Sequence, residues 1–281
     1  QYGAFDRVKE LIESGQVDPN RPDDENVYLM HWAAINNRIE IAEFLLRKGA
    51  EVDPIGGELE STPLNWAARS GHVNMVALLM RNGADPNIQD IEGFSTLHLA
   101  TMFSHSNVVA YLLVKGVDVD IVDKFGITAL MYAAQRCNSR DPAQLLLTFN
   151  ARINAQDPKG NTALHYCVAY NNYTVMDILL NKGASLDIKN NRGLTAVGLA
   201  LDRKKLSVAQ FINSHSDADK EMLPRILHPL SKNKELRKLA TRFYPFFLMF
   251  YFGFLFESEM SYAMKILGFA LFYPMSFSFN K

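Results

Sequence analysis

Apolar residues along this chain come in short paired bursts separated by polar turns. In residues 61–83 a first burst, Leu64 with Trp66, Ala67 and Ala68, is followed by a second in which Val76, Leu78 and Leu79 share one helical face. The pattern predicts two short helices. Thr62 reads as the cap of the first, with its hydroxyl over the opening turn, and Pro63 takes the first helical position, where no amide donor is needed. Ala67 and Ala68 keep this helix thin enough for neighbours to stack closely, and Gly83 reads as the left-handed stop of the second. The same paired burst recurs along most of the chain. Its equivalent positions are His31, Asn65, His98, Met131, His165 and Gly198, separated by 34, 33, 33, 34 and 33 residues.

Such a period defines a solenoid in which each unit packs only on its neighbours. The phrase Thr62-Pro63-Leu64-Asn65-Trp66-Ala67-Ala68-Arg69-Ser70-Gly71-His72 carries the ankyrin signature, with Asn65 where a His usually stands. The expected fold is therefore all-α: an ankyrin-repeat solenoid of about seven repeats over residues 1–213. The first repeat is read as truncated, because Val8, Leu11 and Ile12 with Gly15 form only a second half. On that reading the chain is a piece of a longer polypeptide, and no amino-terminal signal peptide is recognised in it. Repeat five lacks the Gly-His pair and is one residue longer, so a displaced helix start is expected at Pro142. Repeat seven decays into Phe211-Ile212 without the closing Gly-Ala.

Beyond Asn213 the period stops. Residues 214–242 read as a polar, then basic, juxtamembrane linker in which Leu227, Leu230, Leu236 and Leu239 alternate with Lys232, Lys234, Arg237, Lys238 and Arg242. Residues 243–281 hold two apolar runs. The first, Phe243 to Phe256, has 14 uninterrupted apolar residues and reaches 18 when extended back to Leu239 with Arg242 snorkelling, or about 27 Å at 1.5 Å per residue. The second, Met260 to Phe279, has 20 residues and one charge, Lys265. Joined by an acidic turn at Glu257 and Glu259, the runs read as a transmembrane helical hairpin; the competing reading is a helix pair capping the solenoid. The basic cluster before Phe243 would stay cytosolic, which places the repeats on the cytoplasmic side as well.

Composition adds exclusions. A net charge of -1 with 21% charged residues offers no basic field for nucleic acid and no acidic excess for disorder. Cys137 and Cys167 occupy corresponding parts of different repeats and have no metal-ligand spacing, so they read as plain thiols of a reducing compartment. No Ser-His-Asp set, phosphate-cradling glycine loop or CxxC pair occurs at a credible spacing, so no catalytic residue is assigned in this chain. His31, His98, His165 and His72 recur in register and read as structural bonds between repeats. Asp85, Asp118 and Asp187 read as turn-stabilising residues.

Binding is the remaining chemistry. The slot after the His position holds Trp32, Trp66, Leu99, Tyr132, Tyr166 and Leu199, and is expected to face the concave groove. Both tryptophans of the chain sit there in adjacent repeats. Together they could clamp an apolar residue or proline ring of an extended peptide; Trp32 reads equally as inter-repeat packing, while Trp66 reads as groove wall. Asn36 and Ser70, at the variable positions after Ala-Ala, complete the candidate peptide-binding set.

The phrases His31-Trp32-Ala33-Ala34-Ile35-Asn36-Asn37-Arg38-Ile39, Ser61-Thr62-Pro63-Leu64-Asn65-Trp66-Ala67, Leu145-Leu146-Leu147-Thr148-Phe149-Asn150 and Asn161-Thr162-Ala163-Leu164-His165 resemble the ankyrin-repeat DHHC palmitoyltransferases of the huntingtin-interacting type. The resemblance covers essentially the whole chain, with residues 243–281 as the first membrane hairpin. It implies a multi-pass enzyme of the Golgi or another endomembrane that moves palmitate from palmitoyl-CoA to cysteines of cytosolic proteins through a zinc-bound Asp-His-His-Cys loop. That loop has no counterpart here, since no cysteine follows Cys167, so neither cofactor is expected to bind this chain. In the family the ankyrin groove captures short linear motifs ending in Gln-Pro through a Trp and an Asn, which match Trp66 and Asn36. The implied partners are cytosolic substrates, among them huntingtin-like and synaptic-vesicle-type proteins. An ankyrin-bearing ion channel and a soluble ankyrin scaffold are the alternatives.

Overall fold

The computed structural model describes residues 3–136 and 141–215; the linker and membrane-hairpin readings, Cys137 and residues 138–140 lie outside the described residues. Helices alternate in two rows. In chain order they are α1 (Gly3–Glu13), α2 (Leu29–Ile35), α3 (Ile39–Arg47), α4 (Pro63–Arg69), α5 (Val73–Arg81), α6 (Thr96–Met102), α7 (Ser106–Val114), α8 (Ala129–Arg136), α9 (Asp141–Thr148), α10 (Ala163–Tyr170), α11 (Tyr173–Asn181) and α12 (Ala196–Asp202), with residues 206–215 also helical. The even-numbered helices pack side by side from α2 to α12, and the odd-numbered ones from α1 to α11. Among the described residues there is no β-strand; isolated bridges pair Gly56 with Ser61 and Val122 with Thr128.

Each repeat closes by the devices its sequence supplies. Thr62 caps α4 by accepting the Asn65 amide at 3.2 Å, and Pro63 opens the helix. Gly83 follows α5 at φ +94°, in the region that costs an L side chain steric strain. Ala67, Ala68, Ala100, Ala133, Ala134 and Ala200 are completely buried, which lets first helices approach closely, while Val76, Leu79, Val109, Leu112, Leu146, Met176 and Leu179 fill the space between the rows. In repeat five, α9 is described from Asp141 with Pro142 buried in its first turn, a position that tolerates the missing amide.

One turn reading and one segment boundary change in detail. Asp85 and Asp118 accept the amides of Asn87 and Asp120, as expected, but at the next such turn Ser185 takes that part by accepting the Asp187 amide at 3.3 Å. Asp187 sits two residues beyond the holding position. The last helical stretch runs through Ser214 and His215, where the polar linker was expected to begin. Ser214 Oγ donates to the Phe211 carbonyl at 2.8 Å, and His215 Nε2 lies 3.1 Å from Asp177 on α11. The described part of the compact unit accordingly runs through to His215.

Candidate peptide-binding groove

The recurrent histidines bond one repeat to the next. Nε2 of His31, His98 and His165 donates to the carbonyls of Ser61, Ile127 and Leu194 at 2.8, 3.1 and 3.0 Å. Their Nδ1 atoms accept the amides of Tyr28, Ser95 and Thr162, which fixes the neutral tautomer with the proton on Nε2. Burial holds all three imidazoles below their usual pKa. His72 and His105 make a second set of ties, donating back to Ile35 and Arg69 at the ends of the preceding first helices. Asn65 cannot span the gap that His31 spans. Its Nδ2 donates instead to Ile88, and its Oδ1 accepts the Thr96 hydroxyl at 2.6 Å.

The slot after each histidine is not uniform. Leu99, Tyr132 and Leu199 are buried, so the expectation that the whole row lines the groove holds only in part. Leu99 and Tyr132 lie on α6 and α8, each packed between two first helices, while Leu199 lies on α12, which packs against α10. Tyr166 and Trp66 are half-buried, and Trp32 is 47% exposed.

A carboxylate nine residues upstream controls most of these rings, a link that sequence reasoning missed. Tyr132 and Tyr166 donate to Oδ2 of Asp123 and Asp157 at 2.6 Å each, and the Trp32 indole donates to Asp23 at 3.2 Å. Each of these aspartates also uses Oδ1 to accept two amides of its own hairpin loop. Burial, and then the bonded carboxylate, pushes both tyrosine pKa values well up. Nine residues before Trp66 stands Gly57, at φ +71°, which has no side chain to offer. Among the described residues the Trp66 indole N–H therefore has no acceptor. The signal was present in the sequence as Gly57 where Asp23, Asp123 and Asp157 stand in the other aromatic repeats.

The four predicted site residues fall on the adjacent helices α2 and α4. Trp32 and Asn36 belong to α2, where Asn36 is exposed, ends the helix and donates from Nδ2 to the Trp32 carbonyl at 2.9 Å. Trp66 and Ser70 belong to α4, Ser70 ending it at the position equivalent to Asn36. Asn36 keeps its side-chain carbonyl and one amide proton, and Trp66 keeps its indole N–H, so an acceptor and two donors remain unused on the two adjacent repeats. Cys167 is fully buried and its thiol is pushed up in pKa by burial, so it is shielded as a nucleophile. Among the described residues no group of three or more His, Cys, Asp or Glu could hold a metal ion, and no helix is long and apolar enough to cross a membrane.

The pattern of the family described as ankyrin repeats (3 copies) matches residues 1–90, 64–157, 97–192 and 130–222. Palmitoyltransferase ZDHHC17 of Homo sapiens is 48% identical over 256 residues, covering 91% of this chain and 40% of that protein. Its Danio rerio counterpart is 46% identical over 261 residues, 92% of this chain and 42% of that one. Palmitoyltransferase ZDHHC13 of Homo sapiens is 48% identical over 217 residues, 77% of this chain and 35% of the relative. The chain thus spans about two fifths of the length of the curated relatives it matches. Among solved structures, the ankyrin repeat domain of Bcl-3 superposes with a TM-score of 0.65 at 24% identity, over 75% of this chain and 94% of that one, a likeness of fold.

Proposed function

The chain belongs to the ankyrin-repeat family, and from that premise we propose that it is the substrate-recruiting part of a membrane protein S-palmitoyltransferase. Its groove binds short linear motifs of the Gln-Pro type in cytosolic proteins, with Trp66 covering the proline ring and Asn36 pairing with the glutamine or the adjoining backbone. Trp32 and Ser70 flank them. Recruitment raises the concentration of a target cysteine beside a catalytic loop that lies elsewhere in the enzyme. Residues 243–281 would anchor the chain in a Golgi or related endomembrane with the repeats in the cytosol. The described residues contain no set fit to hold zinc, so no step of acyl transfer is assigned to them.

One observation carries this reading. Trp66 is the aromatic residue of its row whose polar tip is left without the aspartate that ties down Trp32, Tyr132 and Tyr166. A half-buried indole with a free donor is suited to cover a proline while its N–H meets a peptide carbonyl. Trp66→Ala should weaken binding of a Gln-Pro peptide by about 2 kcal/mol or more, with circular dichroism unchanged. Calorimetry showing equal affinity for the two proteins would remove the groove assignment.

A further inference from the structure

Immediately beside Trp66 lies a cation that the groove reading leaves unused. Arg69 stands one helical turn after Trp66 on α4, and its guanidinium carbon is 5.6 Å from the Trp66 ring and 4.7 Å from the ring of Phe103, the residue that ends α6. Phe103 is 41% exposed and is itself backed by the His105 imidazole, stacked at 6.5 Å with 16° between the planes. His105 is anchored in turn, donating from Nε2 to the Arg69 carbonyl at 2.9 Å. The two rings therefore position the guanidinium across repeats three and four.

What this arrangement lacks is an anion. Among the described residues no carboxylate lies within 4.0 Å of the Arg69 guanidinium, and none of its N–H groups donates to a protein acceptor. Asp90 is close enough to feel the Arg69 charge, but it is buried and its Oδ1 already accepts the amides of Glu92 and Phe94. A planar guanidinium fixed by two aromatic faces has lost much of its rotamer freedom before any ligand arrives, and its fork matches a carboxylate edge-on.

We propose that Arg69, held between Trp66 and Phe103, is a specificity residue that accepts the carboxylate of an acidic residue in the bound peptide, one or two positions beyond the residue covering Trp66. The inference rests on the groove reading above and extends it toward repeat four. With glutamine at Asn36 in repeat two and proline at Trp66 in repeat three, the next residues of an extended peptide run toward α6. An extended chain advances about 3.3 Å per residue, so one or two residues bridge the 5.6 Å from the Trp66 ring to the guanidinium.

The test compares two peptides by calorimetry against the full chain in detergent: one with Glu at the second position after Gln-Pro, the other with Gln there. The Glu peptide should bind about tenfold more tightly at low salt, an advantage that shrinks as salt is raised. In Arg69→Gln the Glu peptide should fall to the affinity of the neutral one, while the neutral peptide binds as it does to the wild type. Equal binding of the two peptides to the wild type overturns the Arg69 assignment and leaves the Trp66 groove standing. Absence of binding by either peptide overturns both. A loss of both peptides together in Arg69→Gln assigns Arg69 to supporting the rings and likewise overturns the proposal.

Discussion

A buried asparagine takes over a histidine's position in repeat three, and its network shows how narrowly each inter-repeat bond is specified. Asn65 and Thr96 are both completely buried, and the Thr96 hydroxyl donates to Asn65 Oδ1 at 2.6 Å. Thr96→Val removes the donor and keeps the shape, leaving a buried carbonyl oxygen unpaired. It should cost about 1–3 kcal/mol of stability in urea titration, whereas Thr148→Val, whose hydroxyl bonds the Gln144 carbonyl one turn back on the exposed side of α9, should cost less than about 1 kcal/mol. The histidines give a pH dependence with a definite sign. His31, His98 and His165 have folded pKa values below the ordinary 6.5 because burial disfavours the charged ring, so below pH 6.5 the unfolded chain binds more protons than the folded one. Their contribution is present above that value and is lost as pH falls through it. His215 opposes them: the Phe211 carbonyl and Asp177 raise its pKa, so its contribution is present below pH 6.5 and lost as pH rises through the raised value. With three groups against one, the thermal midpoint should drop between pH 7.5 and 5.5, and His98→Gln should show a shallower drop.

At the scale of the element, glycines of the same backbone class do different jobs. Gly71 and Gly83 both have positive φ, +77° and +94°. A Cβ on Gly83 would meet nothing within 4 Å, while one on Gly71 would lie 2.5 Å from Nδ1 of His105, the residue that backs Phe103. Gly83→Ala should therefore cost only the conformational term of about 1–2 kcal/mol. Gly71→Ala should cost more than that in chemical denaturation and should also perturb the His105 ring, visible as a shift of its imidazole proton resonances. This contrast explains what the sequence made legible. Caps, stops and the two helices of each repeat follow from local rules that act within one turn, so Thr62, Pro63 and Gly83 could be assigned from spacing alone. The inward and outward members of the aromatic row could not, because the burial of Leu99 and Leu199 depends on how the helices of successive repeats stack rather than on spacing within one helix. The Asp-to-ring ties cross from a hairpin loop to a helix, and only Gly57 hinted that Trp66 stands apart. Arg69 was passed over because its surroundings, Phe103 and His105, belong to the next repeat.

Across the whole stack, stability is a chain of neighbour interfaces, and these interfaces are not built alike. Repeats two, four and six each send a histidine bond into the next repeat, and repeat three sends Asn65; repeat five presents Met131 there, buried and without a polar tie. At that slot the junction with repeat six is held by apolar packing, although Asn172 reaches back to the carbonyls of Ala133 and Ala134 from the far side. Met131→Ala should open a cavity costing roughly 2–5 kcal/mol at a place where no equivalent hydrogen bond holds the slot together. In a one-dimensional stack such a loss can uncouple the two sides, so that one unfolds while the other persists. The chain carries its own local probe for this: Trp32 and Trp66, its only tryptophans, both lie in repeats two and three. Tryptophan fluorescence then reports the amino-terminal side, while far-ultraviolet circular dichroism reports helices throughout. In the unaltered protein the two signals should trace one urea transition. In Met131→Ala the dichroism should begin to fall at lower urea than the fluorescence, as α10 to α12 melt first. Met30→Ala, an equally buried methionine beside the probes, should instead bring the fluorescence change forward. Coincident curves in Met131→Ala would show that packing alone couples repeats five and six as tightly as the histidine-bonded junctions.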